Sequence, residues 1–218
     1  MKNLSSWSLP TAVHPRYRYL AIHDKRKKNE MGHLTCFAPG NLLLGARILK
    51  RDDIFRFGLD LMEGCWHSYN ATPTGVSPEV WKWKSNDTSD EPYTQTSRKE
   101  WDTYGFWTSV RDYYLRPETI ESLFYAYRLT GNKLYQDRAW IAFQHISAAT
   151  RAPYGYSAIR DVMIPGGWYQ SNDQESFWLA ETLKYLYLIF DDPQRISLDD
   201  WVFNTEAHPL RRGRKVNW

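Results

Sequence analysis

The sequence predicts an all-α protein of antiparallel helix pairs, arranged as an (α/α) toroid whose inner helices turn polar side chains toward a central cavity. Three observations predict it. Segments with apolar residues at helical spacing follow one another in pairs, joined by long loops. Almost no stretch alternates as a half-buried strand would. Acidic residues fall at helix starts or inside buried helices, which suits inner helices that present polar side chains to a cavity.

Residues 1–30 are polar and without period, an irregular N-terminal segment ahead of the main domain at 31–218. Gly32 to Gly40 reads as a loop ending in a Pro-Gly turn, followed by a helix from Asn41 to Lys50. A second helix, Arg51 to Tyr69, takes Asp52 or Asp53 as its cap and carries Ile54, Phe57, Leu61 and Cys65 in one stripe. Thr72 to Thr103 is a long loop with Pro73, Gly75, Pro78, Glu79 and Pro92. Its aromatic residues Trp81, Trp83, Tyr93 and Trp101 argue that it is ordered.

The next helix organises the rest. Pro117 suits a first helical position because its missing N–H has no intrahelical partner there. Ile120, Leu123, Phe124 and Tyr127 recur at helical spacing, and Gly131 stops the run. Glu118, Glu121 and Tyr125 fall on the opposite face, so two carboxylates stand one turn apart near the helix N-terminus. The helix dipole and Arg116 both favour an ionised Glu118, and Glu121 opposes them as a like charge. Two readings stay open: a solvated amphipathic face, or a carboxylate kept ionised as a base in a cleft.

Asn132 to Thr150 is a further helix, making an αα-hairpin across a Thr-Gly-Asn turn. A Gly/Pro-rich loop over Arg151–Tyr169 precedes a helix from Asp173 to Phe190, with Ser171 and Gln174 spaced as a capping box. From Phe177 onward that helix is apolar on nearly all sides, which predicts that others wrap it and that Glu181 is poorly solvated. Lys184, three residues on, is the candidate partner for Glu181. The stretch Asp199–Pro209 is a short extended run into a tight polar turn at Asn204-Thr205.

The totals exclude several classes. Apolar (42%) and charged (24%) contents suit a globular protein with a sizeable core. A net charge of +3, with no basic strip interleaved by aromatics, argues against a nucleic-acid partner. No window reaches the roughly 18 apolar residues of a spanning helix, and Met1-Lys2-Asn3 opens no continuous apolar segment of the kind a signal peptide needs. Aromatic residues make up 16% of the chain, with 11 Trp, more indole than cores ordinarily need and suited to the flat faces of sugars. The two cysteines, Cys36 and Cys65, are either a disulfide or two buried thiols. Acceptor sequons at Asn3, Asn70 and Asn86 fit a secretory protein.

Five blocks, HLTCFAPGNLLLGA (33–46), TGVSPEVW (74–81), YLRPETIESLFYAYRLTGNKLYQDRAW (114–140), ESFWLAETLKYLYLIF (175–190) and WVFNTEAHPL (201–210), carry a family resemblance. Over about residues 30–210 the chain resembles class I α-1,2-mannosidases, glycoside hydrolase family 47, and its RPETIESLFYAYRLTG wording is most like fungal members. The resemblance implies an (α/α)7 barrel with Ca2+ at its floor, held by the backbone carbonyl and hydroxyl of Thr205. Water and sugar hydroxyls would fill the remaining positions, an all-oxygen shell that suits this hard cation. It further implies Glu118 as general base, and Glu121, Glu181 and Glu206 as acidic residues around the ion and its waters. Arg116 and His33 match residues near the substrate, Phe177 an aromatic that packs under the sugar, and Cys36 and Cys65 a disulfide pair. The implied reaction is inverting hydrolysis of terminal α-1,2-linked mannose from high-mannose N-glycans, in the endoplasmic reticulum or Golgi lumen or after secretion.

The departures carry their own expectation. Family members are considerably longer, and their remaining catalytic acids lie in an N-terminal half containing an Asp-Ser-Tyr-Tyr-Glu-Tyr-type block that does not occur here. Inversion needs two carboxyl groups about 6.5–9.5 Å apart across the sugar. Glu118 and Glu121, a single helical turn apart, cannot supply both. The chain therefore reads as the C-terminal part of a barrel whose N-terminal half is expected in the full-length protein, and which alone hydrolyses mannosides poorly. The alternatives are a mannose- or N-glycan-binding pseudoenzyme, a lectin-like module keeping Thr205, Glu181, Glu206 and His33, and a helical fragment with no activity.

Overall fold

A computed structural model describes residues 4–213; the sequon at Asn3 and the last residues of the expected 31–218 domain lie outside them. Six α-helices carry the core: α1 (Ala38–Leu49), α2 (Asp52–Asn70), α3 (Gln95–Tyr104), α4 (Glu118–Thr130), α5 (Leu134–Thr150) and α6 (Leu183–Phe190). α4 is central, packed against α1, α2, α5 and α6. Its apolar stripe is fully buried at Ile120, Leu123 and Phe124, and Gly131 ends it in the left-handed conformation a side chain would resist. At Gly40 of α1 a Cβ would stand 2.7 Å from the Tyr125 ring, so only glycine lets α1 and α4 approach this closely. Ser122 ties the same two elements together. Its hydroxyl accepts from the Gly40 N–H at 2.9 Å and donates to the Cys36 carbonyl at 2.5 Å.

Cys36 and Cys65 form a disulfide with their Cα atoms 5.9 Å apart, pinning the 3-10 turn His33–Phe37 to α2. α1 begins at Ala38, not Asn41, because Pro39 occupies its first turn, a position that tolerates a missing N–H. The helix expected over Asp173–Phe190 forms only from Trp178, where Trp178–Thr182 makes one π-helical turn before α6. The Ser171/Gln174 capping box does not form. The Gln174 side-chain oxygen instead accepts from the Tyr156 N–H at 2.8 Å. Nor is this helix wrapped on every side, for Leu179, Tyr187 and Phe190 are exposed.

The expected irregularity of residues 1–30 is corrected. β1 (Ser5–Trp7) pairs antiparallel with β2 (Arg18–Leu20), and β3 (Ile22–Asp24) with β4 (Arg26–Lys28). β5 (Glu30–Gly32) straddles the boundary drawn between 30 and 31, and Tyr19 is fully buried in the common core. The loop expected at 72–103 likewise holds structure. β6 (Val80–Lys82) pairs with β5 and with β7 (Trp107–Val110), and α3 starts on a capping box between Thr94 and Ser97. Two hairpins complete the chain: β8 (Arg151–Ala152) with β9 (Gly155–Tyr156), and β10 (Trp201–Phe203) with β11 (Pro209–Arg211). Of the sequons within the described residues, Asn70 and Asn86 are both exposed.

Candidate active site

The first turn of α4 opens onto a cavity of about 520 Å³. Leu34 and Phe37 of the 3-10 turn and Asn41 and Leu44 of α1 line one side, and three further elements supply the acidic and aromatic side chains. α4 contributes Glu118, Glu121 and Tyr125, the face the helical spacing predicted. The π-helical turn and the residue before it contribute Glu181 and Phe177, and the tip of the β10–β11 hairpin contributes Asn204, Thr205 and Glu206. Phe203 fixes that hairpin, its ring meeting Phe124 of α4 at 5.7 Å and Tyr185 of α6 at 5.5 Å. Arg116 stands at the mouth. Segments far apart in the chain thus bring all but one of the expected binding and catalytic residues to one space.

The exception is His33. It does not line the cavity but lies fully buried behind Glu118, one residue removed from the space where a ligand would sit. An ionised carboxylate can only accept, so His33 carries its proton on Nδ1 and donates to Glu118 Oε2 at 2.7 Å. Its Nε2 pairs with the Tyr69 hydroxyl, also at 2.7 Å. Buried polar groups are stable when paired, and here both ring nitrogens are.

Burial pushes the Glu118 carboxyl upward, but the hydrogen bond and charge of His33, its own backbone N–H and Arg116 outweigh it. The net effect holds Glu118 below the usual carboxylate range. The sequence anticipated the direction from Arg116 and the helix end; the larger contribution is His33. Arg116 approaches Glu118 Oε1 only to 3.7 Å, because its guanidinium is engaged by Glu79 in two bonds of 2.7 and 2.6 Å.

One turn along, the balance reverses. Burial, then the charges of Glu118 and Glu181, push the Glu121 carboxyl up to about 8. Glu181 is half-exposed rather than enclosed, and its pKa is still raised, by burial, Glu118 and Glu206. Among the described residues Lys184 makes no ion-pair contact with it, although the Lys184 charge opposes the rise. The Lys184 ammonium donates to the Ala207 carbonyl at 2.8 Å and ties α6 to the hairpin. Asn204 shapes the hairpin tip, its side-chain oxygen accepting from the N–H groups of Glu206 (3.1 Å) and His208 (2.8 Å). Thr205 stands exposed there, and among the described residues nothing hydrogen-bonds it, so its hydroxyl and carbonyl oxygens are free to meet a ligand.

Sequence reasoning gave no role to Glu79 and Tyr69. Glu79 lay in a quoted block, TGVSPEVW, and being the lone charged residue of that block was its signal. Tyr69 at the end of α2 had none. The approach to α4 is also unusual: Leu115 is buried with φ of 61°, and its carbonyl accepts from the Thr182 hydroxyl at 2.7 Å. This left-handed residue turns the chain from the extended segment before it into the helix.

A partial ring of antiparallel helices, with carboxylates, an aromatic ring and free hydroxyl oxygens converging on a sugar-sized cavity, defines part of an (α/α)-barrel glycoside hydrolase. Comparison with known proteins supplies the family. The model of glycosyl hydrolase family 47 matches residues 5–212, running through residue 30 without a break. The chain is similar to a mannosyl-oligosaccharide alpha-1,2-mannosidase of Coccidioides posadasii, 45% identical over 186 residues, covering 83% of this chain and 35% of the relative. It is also 45% identical over 184 residues to mannosyl-oligosaccharide alpha-1,2-mannosidase 1B of Aspergillus phoenicis, again covering 35% of that protein. The solved alpha-1,2-mannosidase from Trichoderma reesei superposes with a TM-score of 0.90 at 36% identity, covering 96% of this chain and 44% of that one. The chain belongs to glycoside hydrolase family 47, and spans less than half the length of these relatives.

Proposed function

We propose that this chain forms the general-base and sugar-binding wall of a calcium-dependent, inverting α-1,2-mannosidase that trims high-mannose N-glycans of the secretory pathway. The observation that carries the reading is Glu118: a buried carboxylate held ionised by His33, facing a cavity ringed by further carboxylates. A base must be ionised before it meets water, and His33 and Arg116 supply that condition. Glu118 would take the proton of the attacking water, Phe177 would underlie the sugar ring, and Arg116, clamped by Glu79, would donate to a sugar oxygen.

The donor set fits Ca2+. Among the described residues no histidine or cysteine lines the cavity, and apart from Arg116 its polar residues offer carboxylate, amide and hydroxyl oxygens, the ligands of a hard cation. Like charges crowd enough to raise Glu121 to about 8, a cost that a bound cation offsets. Among the described residues no three His, Cys, Asp or Glu side chains gather closely enough to hold a metal directly. Thr205 would therefore hold the ion through its hydroxyl and carbonyl oxygens, with Glu121, Glu181 and Glu206 contributing through water. The ion would supply Lewis acidity and orientation for water and sugar hydroxyls.

An inverting hydrolase also needs an acid on the far face of the sugar. The chain contains no Asp-Ser-Tyr-Tyr-Glu-Tyr block to supply the family's second wall. The expected behaviour of the purified 218-residue chain is thus calcium-dependent binding of α-1,2-linked mannobiose with little or no release of mannose. Calorimetry with and without chelator, beside a mannose-release assay, tests both statements. Absence of binding in calcium removes the site reading. Rapid turnover by the chain alone removes the claim that the second wall is required.

A further inference from the structure

A second feature begins at the mouth of the cavity and runs outward. The segment before Arg116 pairs with the loop that follows α5. Tyr113 bridges Ile159, and Ile159 bridges Gln170. The Tyr113 N–H donates to the Ile159 carbonyl at 2.9 Å, and the Arg160 N–H to the Tyr169 carbonyl at 3.0 Å. Neighbouring side chains in paired extended segments alternate between faces. Tyr113 and Ile159 accordingly point into the core, both fully buried, and Asp112, Tyr114, Arg160 and Tyr169 take the other face.

On that face Arg160 Nη1 donates to Asp112 Oδ1 at 3.0 Å. At the inner end, the Arg116 guanidinium carbon is 5.9 Å from the Tyr114 ring centre and 5.9 Å from that of Phe177. Phe177, Arg116 and Tyr114 thus stand in sequence from the cavity wall, and Arg160 and Tyr169 continue the row on Tyr114's face of the paired segments. Tyr169 keeps 61% of its surface exposed and Trp168 beside it 72%. The loop that presents them is firmly seated. Gly167 has φ of 77°, and a Cβ there would stand 2.8 Å from Ile159 Cδ1, so the backbone lies directly on the strand.

We propose that this row is a binding strip for the sugars of an oligosaccharide beyond the one seated in the cavity. The ring faces of Tyr114 and Tyr169 take the apolar faces of pyranoses, and Arg160 donates to their hydroxyls. A site that removes terminal sugars must let the rest of the chain leave over its rim, and the strip occupies that rim. The inference rests on the mannoside reading of the cavity, and its test separates the two.

Calorimetry of the full chain in calcium-containing buffer would compare methyl α-mannoside with a free high-mannose N-glycan, for wild type, Tyr169→Ala, Tyr169→Phe and Arg160→Ala. Tyr169→Ala and Arg160→Ala are expected to lose about five- to tenfold in affinity for the N-glycan, with methyl α-mannoside affinity held within about twofold. Tyr169→Phe, which keeps the ring, is expected to retain N-glycan affinity. Unchanged N-glycan binding in both alanine variants overturns the strip and leaves the cavity reading standing. Equal loss for both sugars marks these residues as structural and also overturns it. If wild type binds neither sugar, the mannoside reading falls and the strip falls with it.

Discussion

The two ends of the first turn of α4 face one cavity in opposite electrostatic states. At Glu118 the wall is complementary, with His33 donating, Tyr69 behind it and Arg116 alongside. At Glu121 the neighbours are Glu118 and Glu181, and the best donor is the Tyr185 hydroxyl at a long 3.5 Å. Burial disfavours charge at both. A short charge-assisted hydrogen bond reverses that at one and nothing does at the other. One end of the turn is charge-compensated, whereas the other is crowded by like charge.

The largest expected effect breaks the compensated side. His33→Ala leaves a buried carboxylate without its donor and is expected to cost about 3–5 kcal/mol at neutral pH, read by chemical denaturation. The sign with pH follows from Glu118. Its folded pKa is depressed, so its stabilisation is present above the unfolded value of about 4.3 and is lost as pH falls through the folded value. The gap between wild type and variant should therefore narrow on acidification. A constant gap would mean that His33 contributes packing and no charge.

On the other side the sign inverts. The raised pKa of Glu121 means that its ionisation costs stability increasingly as pH climbs from about 4.5 toward 8. Glu121→Gln is expected to stabilise the metal-free chain by on the order of 2 kcal/mol at pH 8 and by little at pH 4.5. Calcium should stabilise wild type more than the variant, which thermal unfolding with and without the ion reads. A variant no more stable than wild type at pH 8 would remove the contrast between the two ends.

The smallest effect concerns the hairpin. Lys184→Ala removes one hydrogen bond to the Ala207 carbonyl and should cost about 1 kcal/mol. Hydrogen exchange should quicken over residues 204–208 and leave α4 unchanged.

Where one element carried its own signal, the sequence was readable. α4 announced itself by Pro117, its apolar spacing and Gly131, and the Glu118–Glu121–Tyr125 face emerged as drawn. Three-residue strands such as those in residues 5–28 are too short to show a period, so they passed as irregular. α3 did carry a legible start in Thr94 and Ser97, obscured by the prolines and glycine of the loop around it. The π-helical turn left no local signal to read; its Thr182 hydroxyl donates to the Leu115 carbonyl, 67 residues away in the chain.

By itself the chain of residue types determined which helices form, which face of α4 is polar and, through five family blocks, which distant segments share a site. Those properties depend on neighbours three or four residues apart, or on whole motifs. Only the tertiary structure decided that His33 stands behind Glu118, that Lys184 holds a hairpin rather than Glu181, and that two glutamates on one turn hold opposite charge preferences. Each of these depends on which groups burial brings within hydrogen-bonding reach, and folding alone sets that.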